Sequence, residues 1–175
     1  MALLFISSGQ RIKLSKSCQV AVGQDLGGAA GNIIQILANL PDFLRRPMLQ
    51  KRLTEFFDMD ENERQDTIAL ALSAAPAIEP AKLAVLVKTW LEVLAGFEAD
   101  RRTAIFSVYC RQILLQPESL QKLNFQVLTA TFLSLGDRDR QILADSFKEV
   151  LFSLPKRDRL LGLIPEQTRK ALGLV

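Results

Sequence analysis

The sequence predicts an all-α chain of stacked helical hairpins, a helical-repeat superhelix with a period of about 37–39 residues. Two observations carry that prediction. Arg64, Arg101 and Arg140 each close an acidic tripeptide at spacings of 37 and 39 residues, and Pro80, Pro117 and Pro155 each open a leucine-rich run at spacings of 37 and 38. Two independent markers that travel together mean one supersecondary unit copied several times, because such a unit cannot bury its apolar face alone.

The repeat domain is expected over 32–175, preceded by an extended segment or β-hairpin over 1–24 and a glycine-rich hinge over 25–31. Residues 12–22 place Ile12, Leu14, Cys18, Val20 and Val22 on one parity, the period of a half-buried strand. With residues 2–7 before it, this start reads as a strand pair that needs the helices or another chain to cover it. Gly27, Gly28 and Gly31 then mark the change of composition.

Helical periodicity takes over from Asn32. A first helix is expected over about 29–40, ended by Pro41, with its partner running from Pro47 to about Phe57, because proline suits a first helical turn. Asp60 as N-cap and Glu63 three residues on form an acidic capping box that opens the next helix, ending near Ala74. Pro80 opens its partner. Laying 61–95 on 98–132 superposes Ile68 on Ile105, Leu83 on Leu120, Leu86 on Leu123 and Leu91 on Leu128. The third unit starts at Asp137-Arg-Asp-Arg140, carries Ile142, Leu143, Phe147, Val150 and Leu151 on one stripe, and breaks at Pro155. Its second helix is expected to be interrupted by Gly162 and Pro165, as an atypical terminal cap. The run from Ala81 to Ala95 is apolar almost all round and belongs in the middle of the stack, with Trp90 as a core residue.

Composition narrows the function classes. The chain has 175 residues, 49% of them hydrophobic, and a formal charge of +3. No apolar run approaches the roughly 20 residues of a membrane span, so no transmembrane segment is expected. The two cysteines, Cys18 and Cys110, fit a reduced, cytoplasmic compartment, while Arg11, Lys13 and Lys16 without an acid leave organellar targeting by residues 1–24 open. Histidine is absent. With it go the commonest general base and metal ligand, so no catalytic residue, metal site or cofactor is expected.

Three motifs invite a function. The stretch Val20-Ala-Val-Gly23-Gln-Asp-Leu-Gly27-Gly28-Ala-Ala-Gly31 resembles the glycine turn of short-chain dehydrogenases, which would make this a nucleotide-binding enzyme. No Tyr-xxx-Lys accompanies it, however, because the residue four after Tyr109 is Ile113. The acidic tripeptides read as helix starts whose carboxylates offset the dipole, with the arginines reaching to a neighbouring unit. The basic clusters, Arg45-Arg46 with Lys51-Arg52 and Lys156-Arg157 with Arg159, Arg169 and Lys170, are the candidate partner-binding residues. They suit a protein partner, self-association, or the phosphates of a nucleic acid or anionic surface.

The closing stretch Leu154-Pro-Lys-Arg-Asp-Arg-Leu-Leu-Gly-Leu-Ile-Pro-Glu-Gln-Thr-Arg-Lys-Ala-Leu172 resembles the short Leu-Pro-x-x-x-Arg helices of the superhelical N-domain of bacterial magnesium transporters and the related flagellar motor-switch domains. Phe132-Leu-Ser-Leu-Gly-Asp-Arg-Asp-Arg140 is similar in style. That resemblance implies a docking or regulatory element rather than a catalyst. The expected function is therefore a non-catalytic helical-repeat module for protein–protein interaction, a scaffold or assembly subunit.

Overall fold

The computed structural model describes residues 33–175, so the expected hairpin over 1–24, the glycine hinge and the dehydrogenase-like turn lie outside the described residues. Those that are described form ten α-helices and one 3₁₀ turn, with no strand among them. The helices are α1 (33–39), α2 (Asp42–Asp58), α3 (Glu61–Ala74), α4 (Pro80–Ala95), α5 (Ala99–Leu115), α6 (Pro117–Gln121), α7 (Phe125–Leu133), α8 (Asp137–Ser153), α9 (Arg157–Leu163) and α10 (Glu166–Ala171). The chain is all-α there, and no helix among the described residues is long and apolar enough to cross a membrane.

Local chemistry sets most boundaries where the sequence put them. Asp60 and Glu63 make the reciprocal capping box at the start of α3: the Asp60 carboxylate accepts from Glu63 N at 2.9 Å, and Glu63 accepts from Asp60 N at 3.0 Å. Pro80 and Pro117 occupy the first turns of α4 and α6, where a missing N–H costs nothing.

Three boundaries differ. Pro47 does not open the second helix; α2 starts five residues earlier, with Pro41 as N-cap and Asp42 in the first turn, and Pro47 sits inside it. Phe43 thereby loses its i+4 donor, a loss that solvent at this exposed first turn makes good. The leucine-rich run that Pro117 opens forms two helices, because the Asn124 side chain accepts from Val127 N at 3.1 Å and starts α7 afresh. Gly162 lies within α9, so only Pro165, the N-cap of α10, interrupts the last stretch.

Two lines of contact run through the molecule. Helices α3, α5 and α8 touch in that order, and α2, α4, α7 and α10 touch in theirs, while α4 also reaches α8. The central core joins Phe56, Ile68, Leu94, Ile105, Val108 and Leu143, drawn from α2, α3, α4, α5 and α8. A second cluster sets Leu37 and Leu49 against Leu83 and Leu86, and Trp90 and Val87 pack against both clusters. Cys110, Val150, Leu151, Leu160 and Ile164 form a third, tied to the first through Phe106 and Ile113. Helix α4 is thus covered by α2, α7 and α8, as its all-round apolar sequence requires. Trp90 meets Tyr109 edge-on at 5.6 Å, a packing role.

Of the four superposed pairs, Ile68/Ile105 and Leu83/Leu120 are buried in both members. Leu86 and Leu91 are buried, but Leu123 and Leu128 are only partly so, because the α6–α7 break turns that stretch outward.

Candidate functional site

Each helix end leaves up to four carbonyls without an intrahelical donor and carries partial negative charge. In this chain an arginine from the first turn of the next helix answers that need four times. The Arg45 Nε donates to the Leu37 carbonyl at 3.0 Å, and a terminal nitrogen donates to Leu40. Arg64 donates to Phe56 at 3.0 Å and to Phe57 at 2.6 Å. Arg102 donates to the Phe97 carbonyl, and Arg140 to Leu133 at 2.8 Å. All four sit four residues after their N-caps, Pro41, Asp60, Glu98 and Gly136.

The register of the acidic marker is corrected by this geometry. The caps Asp60, Glu98 and Gly136 are 38 residues apart both times, so the partner of Arg64 and Arg140 is Arg102. Arg101, one residue earlier, instead stacks over Phe57 at 5.0 Å and Phe97 at 5.8 Å.

Two of these arginines also cross to another helix. Arg45 donates to Thr89 Oγ1 at 3.3 Å, from α2 to α4, and Arg102 Nε to Ser146 Oγ at 2.9 Å, from α5 to α8. Both pairs are separated by 44 residues. Thr89 Oγ1 also lies 3.0 Å from the Val85 carbonyl and 3.3 Å from Asp42. Thr89 and Ser146 had no sequence signal of their own; the constant 44-residue offset from a cap-plus-four arginine was the one available.

These placements sort the basic residues expected to meet a partner. Arg45 is only 5% exposed and enclosed by its acceptors, so it leaves the surface cluster. Arg46 turns the other way and pairs with Glu92 on α4. Lys51 and Arg52 are exposed and share Glu55, at 3.8 and 3.1 Å. Lys156, Arg157 and Arg159 are exposed, with Arg157 beside Asp158 at 3.6 Å. Lys170 pairs with Glu166 at 2.6 Å, whereas the half-buried Arg169 keeps a buried Nε with no hydrogen-bond partner among the described residues. Lys51–Arg52 lie on α2, which packs on α4, and Lys156–Arg159 at α9, which packs on α5, α6 and α8, so two basic patches stand on different elements where carboxylates are already interleaved.

An apolar feature stands beside the first patch. Along α2, Leu44, Met48, Lys51, Arg52 and Glu55 follow i, i+4 and i+3 steps on a stripe about a third of a turn round from the buried Leu49, Leu53 and Phe56. Leu44 and Met48 are exposed, and Phe43 is 75% exposed. An open groove of about 430 Å³ lies nearby, between the α1–α2 connection at Leu40–Pro41 and the first turns of α4 at Lys82 and Val85. Lys82 Nζ donates to Asn39 Oδ1 across it at 2.6 Å. Starting the helix at Pro47 hid this stripe in the sequence, because it removed Leu44 from the helix.

Burial pushes the Tyr109 hydroxyl and the Cys110 thiol each up to about 12, so both are protonated at neutral pH. No family model, curated protein or solved structure matches this chain.

Proposed function

We propose that this chain is a non-catalytic helical-repeat module that binds another protein, with the outward stripe of α2 as its docking face. The single observation carrying the reading is the exposure, among the described residues, of Phe43, Leu44 and Met48 on the outer side of α2. Exposed large apolar side chains grouped on one side of a helix suit a partner.

The repeat part of the reading is supported by the 38-residue spacing of the caps and the two 44-residue arginine–hydroxyl ties. The resemblance of 154–172 to superhelical docking domains belongs to the same proposal. The occupant is an amphipathic segment that lays apolar anchors along Leu44 and Met48. A nucleic-acid reading has less support, because Glu55 and Asp158 lie within the basic patches.

A photo-cross-linking residue in place of Met48, compared with one in place of the exposed Glu149 on α8, tests it. Met48 is expected to give a discrete protein adduct in native extract that survives about 0.5 M salt, where the screening length is only a few ångströms. Equal adducts from both positions, or an adduct lost to nuclease or to that salt, would sink the proposal.

A further inference from the structure

A second concavity lies between the end of α7, the first three turns of α8 and the turn that follows α10. It encloses about 390 Å³ and opens to solvent. Arg140, Lys148 and Lys170 line it with a single carboxylate, Asp137, so the wall carries three positive charges against one negative. The other two counter-ions stand outside the lining: Asp145, 3.8 Å from Lys148, and Glu166, 2.6 Å from Lys170. Asp145 is shared further, since it accepts from the Gln141 amide at 2.8 and 3.0 Å.

Two of the three cations are held rather than trailing in water. The Arg140 side chain is 33% exposed and anchored by the Leu133 carbonyl and Asp137, and that of Lys148 is 29% exposed. Gly173 fixes the opposite rim with φ +67°, and a Cβ there would stand 3.1 Å from Lys148 Nζ, so the chain turns closely around the ammonium. Each cation keeps its own carboxylate, Asp137, Asp145 or Glu166, but only Asp137 lines the cleft, so the wall itself is positive on balance and suits an anion. Phe132, Ala144 and Leu172 add apolar wall beside the charges.

We propose that this cleft binds a small phosphate-bearing anion, of the size of a diphosphate or a phosphate ester, on Arg140, Lys148 and Lys170. The volume leaves room for a ligand of that class. Three donors on two elements give the multidentate grip that phosphate oxygens take.

Isothermal titration of the full chain with inorganic pyrophosphate at low ionic strength is the test, with amide chemical-shift mapping in parallel. Saturable binding is expected, with shifts centred on Ala144 and Gly173. Lys148→Gln and Lys170→Gln are each expected to weaken it by about tenfold or more, whereas Lys51→Gln and Arg157→Gln, which remove the same charge elsewhere, leave it within about twofold. Lys148 caps no helix end, so its loss leaves the fold intact, and unchanged far-ultraviolet dichroism checks this. Equal weakening by all four variants, shifts spread over every basic patch, or no saturable binding would overturn the site. None of these outcomes bears on the α2 stripe, which remains testable by cross-linking alone.

Discussion

The Arg45 and Arg102 nodes use the same parts and differ in depth. Each guanidinium rises from the first turn of a helix, satisfies carbonyls at the end of the preceding one and bonds a hydroxyl 44 residues later. Arg45 is fully buried and has a carboxylate, Asp42, at 3.6 Å; the half-buried Arg102 has no ion-pair partner among the described residues. The difference follows from solvation. A guanidinium withdrawn completely from water needs a formal counter-charge as well as hydrogen bonds, while one that keeps partial access to solvent is satisfied by dipoles alone.

If depth is what separates the nodes, Arg45→Met should cost about 3–5 kcal/mol, because it strands the Leu37 and Leu40 carbonyls and leaves Asp42 without its cation. Arg102→Met should cost about 2 kcal/mol, and Arg140→Met, which loses one exposed carbonyl bond and an exposed ion pair, about 0.5–1 kcal/mol. Denaturant unfolding of the three variants ranks them, and equal losses would show that burial is not the controlling variable.

Core leucines sharpen the same contrast between tightly and loosely held regions. Leu86→Ala on α4 should destabilise by about 2–4 kcal/mol, whereas Leu123→Ala, in the partly exposed break between α6 and α7, should cost about 1 kcal/mol. A Leu123 loss as large as that of Leu86 would mean that the two positions are packed alike, as the superposed units predict.

The cross-helix tie is the next smaller effect. A double-mutant cycle of Arg102→Met with Ser146→Ala should give a coupling of about 1 kcal/mol, and a coupling near zero would reduce the Arg102 node to its carbonyl bonds. Removing the capping-box acid by Asp60→Ala should also cost about 1 kcal/mol in the same assay, since only local contacts are lost.

The smallest effect at neutral pH appears only in alkali. The folded chain holds the Cys110 proton up to about 12 against an ordinary 9.0, and the Tyr109 proton up to about 12 against 10.0. The unfolded chain therefore loses both first, and stability must fall as pH rises from about 9 towards 12, with no change near pH 7. Cys110→Ala should flatten the lower part of that fall, read as melting temperature against pH; an identical slope would assign it to other groups.

Helix existence, the capping box at Asp60 and the proline starts of α4 and α6 were legible in the sequence because each depends on a few neighbouring residues. The arginine register was misread at Arg101, since Glu98-Ala-Asp-Arg101-Arg102 offers two adjacent arginines and only the N-cap position decides between them. Pro47 misled for a related reason: its preference for a first turn was overridden by Pro41 and Asp42, and by Leu49, Leu53 and Phe56 burying on the longer helix. The cleft at Arg140, Lys148 and Lys170 had no signature, because the three residues come together only through the contact of α7 with α10 and the turn at Gly173. Of the basic residues expected to meet a partner, Lys170 alone lines it.

Cys110 is the one cysteine among the described residues, 1% exposed and enclosed by Val150, Leu151, Leu160 and Ile164 from α8, α9 and the turn beyond. That makes it a clock. A thiol reagent cannot reach it until α8 and α9 part from α5, so in a Cys18→Ser background the modification rate measures how often that seam opens. Denaturant dependence of the rate would then separate a local parting of the C-terminal helices, with a shallow slope, from global unfolding, with a steep one.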